Sequence, residues 1–255
     1  MYAEERHQAV AGLVARHGRV TVADLAASFG VTTETVRRDL AVLERAGLLR
    51  RVHGGAVSTS VVAAVEPGLG DRDSTAAAQK DLIAKAALAF LPPAGGSVLL
   101  DAGTTTGRLA LLLPSDRQLV VVTHAVPIAA RLAGVAGITL HVVGGQVRGT
   151  TLAAVGPDTV RAFGELRADV AFVGTNAFSP ARGLSTPNSD EAAVKRALVG
   201  AARRVVVLAD SAKLGRDDLV RFAETASVDV LVTDDGIADR DARALRKADV
   251  EVVIA

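Results

Sequence analysis

The residues best suited to chemistry stand in one short string, Asp101-Ala102-Gly103-Thr104-Thr105-Thr106-Gly107, which we call the threonine turn. It follows an apolar run and opens a predicted helix, so free backbone N–H groups, three hydroxyls and a helix N-terminus surround one point. Such a point suits an anion such as phosphate. The alternative is a plain glycine turn with helix-capping threonines. Neither the G-K-[ST] ending of a P-loop nor the G-x-G-x-x-G of a dinucleotide site is present.

Other polar residues come directly after apolar runs, where buried strands are predicted to end. They include His124, Gly145, the Gly-Thr-Asn string at 174–176, and Asp210 with Lys213. Ligands of open α/β sheets bind outside the carboxyl ends of the strands, so these residues can converge on one pocket. Lys213 could supply a point charge to a phosphate, and Asp210 could accept a sugar hydroxyl. Each also has an explanation without a ligand, because a lone lysine after a strand is usually solvated.

A second set of candidates lies in the first 57 positions, which carry eight arginines and no lysine. Apolar spacing predicts helices over 4–17, from Thr21 to Gly30, and from Thr32 or Thr33 to Gly47, followed by a short hairpin over 48–57. A four-residue turn before the third helix is typical of the winged helix-turn-helix. Short polar side chains there can reach base edges, and arginines can bind guanine or phosphate. The candidate DNA contacts are Thr33, Glu34, Thr35, Arg37, Arg38, Arg50 and Arg51. The alternative is a helical bundle with solvated arginines.

Composition narrows the class of protein. The 255 residues are 49% hydrophobic and 22% charged, which is enough apolar side chain for one large or two modest domains. The absence of cysteine excludes disulfides and thiol catalysis, and the five histidines show no ligand spacing, so we expect no metal and no cofactor. The net charge of +1 divides into +2 for residues 1–57 and −1 for the remainder. No leader and no apolar stretch of about 20 residues is visible, which predicts a cytoplasmic protein without a membrane partner.

The remainder of the chain alternates apolar runs with helical segments. Runs of Val, Leu and Ile predict strands over 97–100, 119–122, 138–143, 170–173, 205–208, 228–232 and 250–254. Helices are predicted over about 76–91, 107–113, 125–133, 189–202 and 238–247. This order predicts an α/β fold with a mainly parallel sheet covered on both faces. We therefore expect a winged helix-turn-helix domain over 1–57, a linker over 58–75, and an α/β domain over 76–255.

Two strings in the first domain carry a specific resemblance. Thr32-Thr33-Glu34-Thr35-Val36-Arg37-Arg38-Asp39-Leu40 and the later Arg51-Val52-His53-Gly54-Gly55-Ala56 closely resemble the N-terminal signature of the DeoR family of bacterial transcription regulators. The resemblance implies operator binding through this domain and adds His53 to the candidate DNA contacts.

The second domain resembles the effector domain of the same family along nearly its full length. The matching strings are L-D-A-G-T-T-T, V-V-T, V-G-G, A-F-V-G and V-V-L-A-D-S-A-K. The resemblance implies a fold similar to ribose-5-phosphate isomerase and a phosphorylated sugar as effector, held at the positions that match the family pattern. Those positions are Asp101, Gly103, Thr104, Thr105, Thr106, Gly145 and Lys213. Many relatives have Asn-Ser where this chain has His124-Ala125, so His124 is a further candidate contact whose role here is altered.

The combined interpretation is a transcriptional repressor of a sugar-metabolism operon, not an enzyme, with double-stranded operator DNA and a small phosphorylated sugar as its partners. The resemblance leans towards fructose 1-phosphate as the effector. We expect a homodimer or homotetramer, because paired half-sites raise specificity. Two alternatives stay open. One is a sugar-phosphate isomerase or deaminase that uses Asp101, Asp190 or Glu191 as its base, and the other is a DNA-binding protein with a vestigial pocket.

Overall fold

We describe a computed structural model of the chain, which places residues 3–17, 19–45, 48–52, 54–58 and 68–255. The chain divides into two compact units, Met1–Glu66 and Pro67–Ala255. Each unit has its own apolar core, and each is described separately below.

The first unit is a winged helix-turn-helix. Helices α1 (Ala3–His17), α2 (Val22–Phe29) and α3 (Thr33–Arg45) pack beside a three-stranded sheet in the order β1-β3-β2. Its strands are β1 (Arg19–Thr21), β2 (Leu49–Val52) and β3 (Gly55–Ser58), and all their pairings are antiparallel. Strand β1 was not predicted, because three residues are too few to show a period. Val36, Leu40 and Leu43 are each at most 3% exposed, which confirms the predicted buried face of α3.

Local side-chain contacts explain where these helices begin and end. The Thr21 hydroxyl accepts the Asp24 N–H at 3.1 Å and starts α2, as the spacing predicts. Gly30, with φ 61°, ends α2 in the left-handed conformation and donates its N–H to the Ala26 carbonyl. Thr32 then accepts the Thr35 N–H at 3.2 Å at the start of α3. Gly47 and His53, which also carried predictions, lie outside the described residues.

The second unit is built on a seven-stranded sheet in the order β15-β14-β12-β9-β4-β5-β6. Every neighbouring pair is parallel, and every strand overlaps one of the seven predicted apolar runs. The strands are β4 (Ser97–Leu100), β5 (Leu119–Thr123), β6 (Ile138–Val142), β9 (Ala168–Gly174), β12 (Ala202–Leu208), β14 (Val230–Thr233) and β15 (Glu251–Ile254). The predicted fold class is confirmed.

Helices cover both faces of this sheet and form one apolar core on each. One core includes residues of α5 (Ala77–Ala87), α6 (Thr104–Leu111) and α7 (Val126–Leu132). The other includes residues of α8 (Pro157–Gly164), α9 (Ser189–Gly200) and α10 (Asp239–Lys247). Helix α6 begins at Thr104 rather than at 107, so the three threonines form its first turn.

A short helix, α4 (Leu69–Ser74), lies in the region that we predicted to be a linker. It is hydrogen-bonded to the second unit, since the Leu69 N–H donates to the Thr150 carbonyl at 3.1 Å. This helix could not be predicted, because none of its residues is buried and it has no apolar stripe. The connection between the units is therefore shorter than 58–75.

Short antiparallel strands complete the second unit. Strands β7 (Gln146–Arg148) and β8 (Ala153–Val155) form a pair, and β10 (Ala177–Ser179), β11 (Gly183–Thr186) and β13 (Val220–Ala223) form a small sheet. In the ranges given above, no helix combines the length and the apolar character that a membrane span requires.

Candidate functional site

The outer face of α3 carries the polar residues predicted to contact DNA. Thr33, Glu34, Arg37 and Arg38 are exposed, and Thr35 is partly exposed. Arg37 lies 3.4 Å from Glu34, but both side chains are more than 60% exposed, so this pair holds the arginine weakly. The N-terminal half of α3 therefore presents hydroxyls and guanidinium groups to solvent.

A buried ion pair fixes α3 against α1. The Asp39 carboxylate accepts hydrogen bonds from Arg6 Nε at 2.5 Å and Arg6 Nη2 at 3.1 Å, and His7 Nε2 lies 2.9 Å away. Burial alone would raise the pKa of Asp39, but the contacts with Arg6 and His7 outweigh it and lower that pKa. Asp39 thus orients the helix whose opposite face carries Arg37 and Arg38.

The hairpin that follows is tied to the other end of α3. Glu44 accepts the Arg51 backbone N–H at 2.8 Å and Arg51 Nε at 2.9 Å. A phosphate group would have to compete with Glu44 for the Arg51 side chain, which was predicted to be a free DNA contact. The side chain of Arg50 and the whole of His53 lie outside the described part of the chain.

In the second unit, the threonine turn joins β4 to the first turn of α6. The N–H of Gly107 makes the first bond of this helix, to the Gly103 carbonyl at 3.0 Å, so the N–H groups of Thr104, Thr105 and Thr106 come before it. The Thr106 hydroxyl donates to the Gly103 carbonyl at 3.0 Å. Thr104 and Thr105 are 8% and 3% exposed. Amide and hydroxyl donors therefore converge here, as the sequence predicts.

Asp101, at the start of this turn, is completely buried in a charged cluster. Its Oδ2 accepts the Gly174 N–H at 2.8 Å and a hydrogen bond from the Lys195 ammonium, and its Oδ1 lies 3.2 Å from His124 Nε2. Lys195 also donates to the Gly174 carbonyl at 2.9 Å. Burial by itself would raise the pKa of Asp101, but Lys195 and His124 outweigh it and lower the pKa to about 2. The carboxylate thus joins the ends of β4, β5 and β9 to helix α9.

His124 belongs to the same cluster and is 3% exposed. Its Nδ1 lies 2.8 Å from the Ala154 carbonyl, which can only accept, so Nδ1 carries a proton. Its Nε2 lies 3.3 Å from the Ala102 backbone nitrogen and 3.2 Å from Asp101 Oδ1, which belong to the first two residues of the threonine turn. The imidazole therefore stabilises the start of the threonine turn.

Cationic side chains flank the turn on the side of β12. Lys213 lies 3.3 Å from Asp210, and burial lowers the pKa of Lys213 against the opposing effect of that carboxylate. Lys80 is 3% exposed, and burial together with the nearby Lys213 ammonium lowers the pKa of Lys80 to about 8. Arg72 is close enough to lower the pKa of both lysines further. A group of positively charged side chains favours an anionic ligand.

A cavity of about 190 Å³ opens beside the turn, on the side of α7. It is smaller than a typical drug-sized pocket and suits a small ligand. Arg131 is a cationic residue of its wall. A Cβ added at Gly107 would lie 3.4 Å from Arg131 Nη1, so this guanidinium is close to the first turn of α6. The walls consist of Leu69, Gly70 and Asp73 from α4, of Gly103, Thr104 and Gly107, and of Ala125, Pro127, Ile128, Arg131 and Thr151. In the part of the chain that the structure describes, no group of acidic or histidine side chains could hold a metal ion.

Comparison with known protein families identifies both units. The model of a DeoR-like helix-turn-helix domain matches residues 6–62, and that of a DeoR C terminal sensor domain matches residues 75–235. The chain belongs to the DeoR family. The family assignment that the two sequence signatures implied is therefore confirmed.

Relatives match this DeoR-family chain along its length. It is 37% identical to the HTH-type transcriptional regulator GlpR of Haloferax volcanii, over 99% of this chain and 98% of that protein. It is 33% identical to the glycerol-3-phosphate regulon repressor of Haemophilus influenzae, over 90% and 89%. Ribose 5-phosphate isomerase A of Methanocaldococcus jannaschii, a solved structure, is 18% identical over 53% of each chain, with a TM-score of 0.39.

The residues that the family resemblance proposed as effector contacts separate into three groups. Gly103 and Thr104 line the cavity, and Thr105 and Thr106 follow them in the first turn of α6. Lys213 lies in the cationic group at the end of β12. Asp101 and His124 lie beneath the turn and contact each other, and Gly145 packs against Thr159. The direct ligand contacts of these eight residues stay a prediction.

The contact partners of two buried residues of α9 could not be predicted from the sequence. Lys195 and Glu191 stand four positions apart on α9, a spacing that predicts a pair with each other. Instead Lys195 binds Asp101, and Glu191 lies 2.9 Å from Arg148 Nη1 and accepts the Thr151 hydroxyl. Only tertiary structure could reveal these partners.

Proposed function

We propose that this DeoR-family chain represses a sugar-metabolism operon, binding operator DNA through residues 1–57 and a phosphorylated sugar at the threonine turn. The observation that carries the proposal is the coexistence of two unlike polar surfaces. One is an exposed face of α3 with Arg37 and Arg38, and the other is the threonine turn, whose Gly103 and Thr104 line a cavity together with Arg131. A ligand changes DNA binding only through different affinities for two states of the protein.

Fructose 1-phosphate is the first effector to test. Its phosphate matches the donors of Thr104, Thr105 and Thr106 at the N-terminus of α6, which has the polarity that favours an anion. The name of the Haemophilus influenzae relative also refers to a small phosphorylated molecule, glycerol 3-phosphate. A panel of both compounds, ribose 5-phosphate, inorganic phosphate and unphosphorylated fructose separates phosphate recognition from sugar recognition.

An isomerase or deaminase function has less support. A general base should have a pKa near the working pH, but that of Asp101 is lowered to about 2 by its buried partners. Glu191 is held by Arg148 and Thr151, and Asp190 lies exposed at the start of α9. A turnover assay with ribose 5-phosphate and glucosamine 6-phosphate is expected to show no activity. Measurable turnover would favour the enzyme.

DNA binding is expected to depend on the arginines of α3. Sequences bound by the full chain would first be selected from random duplexes, and affinity would then be measured at several salt concentrations. We expect Arg37→Ala and Arg38→Ala each to weaken binding about tenfold or more, and loss of a phosphate contact to reduce the salt slope by about 1. Arg243→Ala, an exposed change on α10, is the matched control and should have no effect. Equal affinities for all four proteins would contradict the proposed surface.

Effector binding is expected to depend on the Thr105 hydroxyl. At 100 times its dissociation constant, a ligand should add about 2.7 kcal/mol of stability, which a thermal-shift measurement detects. Thr105→Ala should weaken binding of a phosphorylated sugar about tenfold, because a hydrogen bond to a charged group is lost. Thr105→Ser keeps the hydroxyl and should keep most of the affinity. DNA binding without effector should be unchanged in both variants, and its loss in a folded Thr105→Ala protein would contradict the division of roles.

We further propose a homodimer or homotetramer that acts in the cytoplasm. Two recognition helices that bind two half-sites give the specificity that one module lacks. A protein that binds operator DNA acts in the compartment that holds the chromosome. Sedimentation equilibrium of the full chain should show a mass of two or four chains. A monomer at micromolar concentration would contradict this part of the proposal.

A further inference from the structure

Helix α4 is the first element of the second unit and forms one wall of the cavity. Leu69, Gly70 and Asp73 face the cavity from α4, opposite Gly103 and Thr104 of the threonine turn. Residues 59–67, which lead from the first unit, precede it directly in the chain. A ligand at the threonine turn would therefore lie against the segment through which the second unit is connected to the first.

Polar contacts, rather than apolar burial, hold α4 in place. None of its residues is buried. Arg108 of α6 pairs with the Asp73 carboxylate through Nη1, and its Nη2 donates to the Asp73 carbonyl at 3.1 Å. Lys80 donates to the Arg72 carbonyl and, at 2.7 Å, to the Thr75 carbonyl. Because these contacts are electrostatic, their strength depends on the charges that surround them.

The Arg108 guanidinium contacts both α4 and the threonine turn. Its Nη1, which pairs with Asp73, also lies 3.4 Å from the Thr104 carbonyl in the first turn of α6. The Arg108 side chain is 16% exposed and that of Asp73 is 56% exposed, so solvent screens part of their attraction. Asp73 lines the cavity together with Gly103 and Thr104, so a phosphate bound there would place a second anion near the Asp73 carboxylate. The two anions would repel each other, and this repulsion would weaken the hold of Asp73 on Arg108.

We propose that Asp73 is an internal competitor of the effector's anionic group, and that effector binding releases α4 from Arg108. This inference rests on the proposed function, since it requires an anion at the threonine turn. In the free protein Asp73 holds α4 against α6. In the bound protein the phosphate repels Asp73, and α4 loses its contact with Arg108.

A matched pair of variants tests the proposal. Asp73 and Asp81 both pair with Arg108, but Asp81 lies on α5 and does not hold α4. In the full chain, Asp73→Asn should bind inorganic phosphate and fructose 1-phosphate at least about fivefold more tightly than the wild type. Asp81→Asn should stay within about twofold of the wild type. Calorimetric titration with each probe gives these affinities.

Hydrogen exchange of the α4 amides supplies a second, independent readout. Adding fructose 1-phosphate should speed exchange over residues 69–75 in the wild type and in Asp81→Asn, whereas Asp73→Asn should exchange fast without ligand. Equal or weaker ligand affinity in Asp73→Asn, or slower exchange on ligand addition, would overturn the inference and leave the proposed function intact. A wild type that binds neither probe would contradict the proposed function itself.

Discussion

Replacing Asp101 with Asn is expected to lower the free energy of unfolding of the second unit by about 3–5 kcal/mol, because it leaves the buried Lys195 ammonium without its counter-charge. Urea denaturation measures this loss. The control is Asp158→Asn, which breaks an ion pair with Arg161 on the surface and should change stability by about 0.5 kcal/mol or less. Removal of both partners in Asp101→Asn with Lys195→Met should lose less than the two single changes together. Strict additivity would show that the two charges are not coupled.

The same carboxylate predicts how stability responds to acid. The pKa of Asp101 is about 2 in the folded protein, below the value of about 3.9 of an unfolded chain. Its contribution to stability is therefore complete above pH 4 and is lost as the pH falls from about 4 to about 2. The difference in unfolding free energy between the wild type and Asp101→Asn should shrink over this interval. A difference that stays constant down to pH 2 would contradict the assignment.

Gly145→Ala is expected to destabilise the second unit by about 1–3 kcal/mol, the usual cost of overpacking. A Cβ at this position would lie 2.1 Å from the Thr159 hydroxyl oxygen and 2.8 Å from the Val155 carbonyl oxygen, and the backbone has φ +152°. Thr159 cannot easily move, because it is fully buried and its hydroxyl donates to the Gly144 carbonyl at 2.8 Å.

The adjacent glycine provides the control for that prediction. A Cβ at Gly144 would meet no atom within 4 Å, so Gly144→Ala should change the melting temperature little. If Gly145→Ala and Gly144→Ala had the same melting temperature, packing against Thr159 would not be the reason for a glycine at position 145. That result would favour a role of Gly145 in effector binding over a structural role.

The parallel sheet could be predicted from the sequence because strands buried on both faces are continuous apolar runs. Each of the seven runs, from Ser97–Leu100 to Val250–Ile254, overlaps a strand of the sheet. The three-residue strand Gln146–Arg148 is too short to show a period. Helix α8 was not predicted, although its start at Pro157 agrees with the preference of Pro for the first helical position.

The candidate site could be predicted only as far as local sequence defines it. The threonine turn and the exposed face of α3 depend on neighbouring residues, and both are where the spacing places them. The role of Asp101 depends on Lys195, which is 94 positions away and enters through the packing of α9 on the sheet. The same applies to Arg108 and Asp73, whose contact requires α4 to fold back onto α6.

The double contact of Glu44 with Arg51 has a mechanical consequence. One carboxylate holds both the backbone and the side chain of β2 to α3, and β3 is held between β2 and β1. The helix and the hairpin are therefore expected to move together when the unit meets DNA. In the proposed complex a mismatch in groove width would be met by bending the duplex, so base steps that no side chain touches would contribute to operator choice.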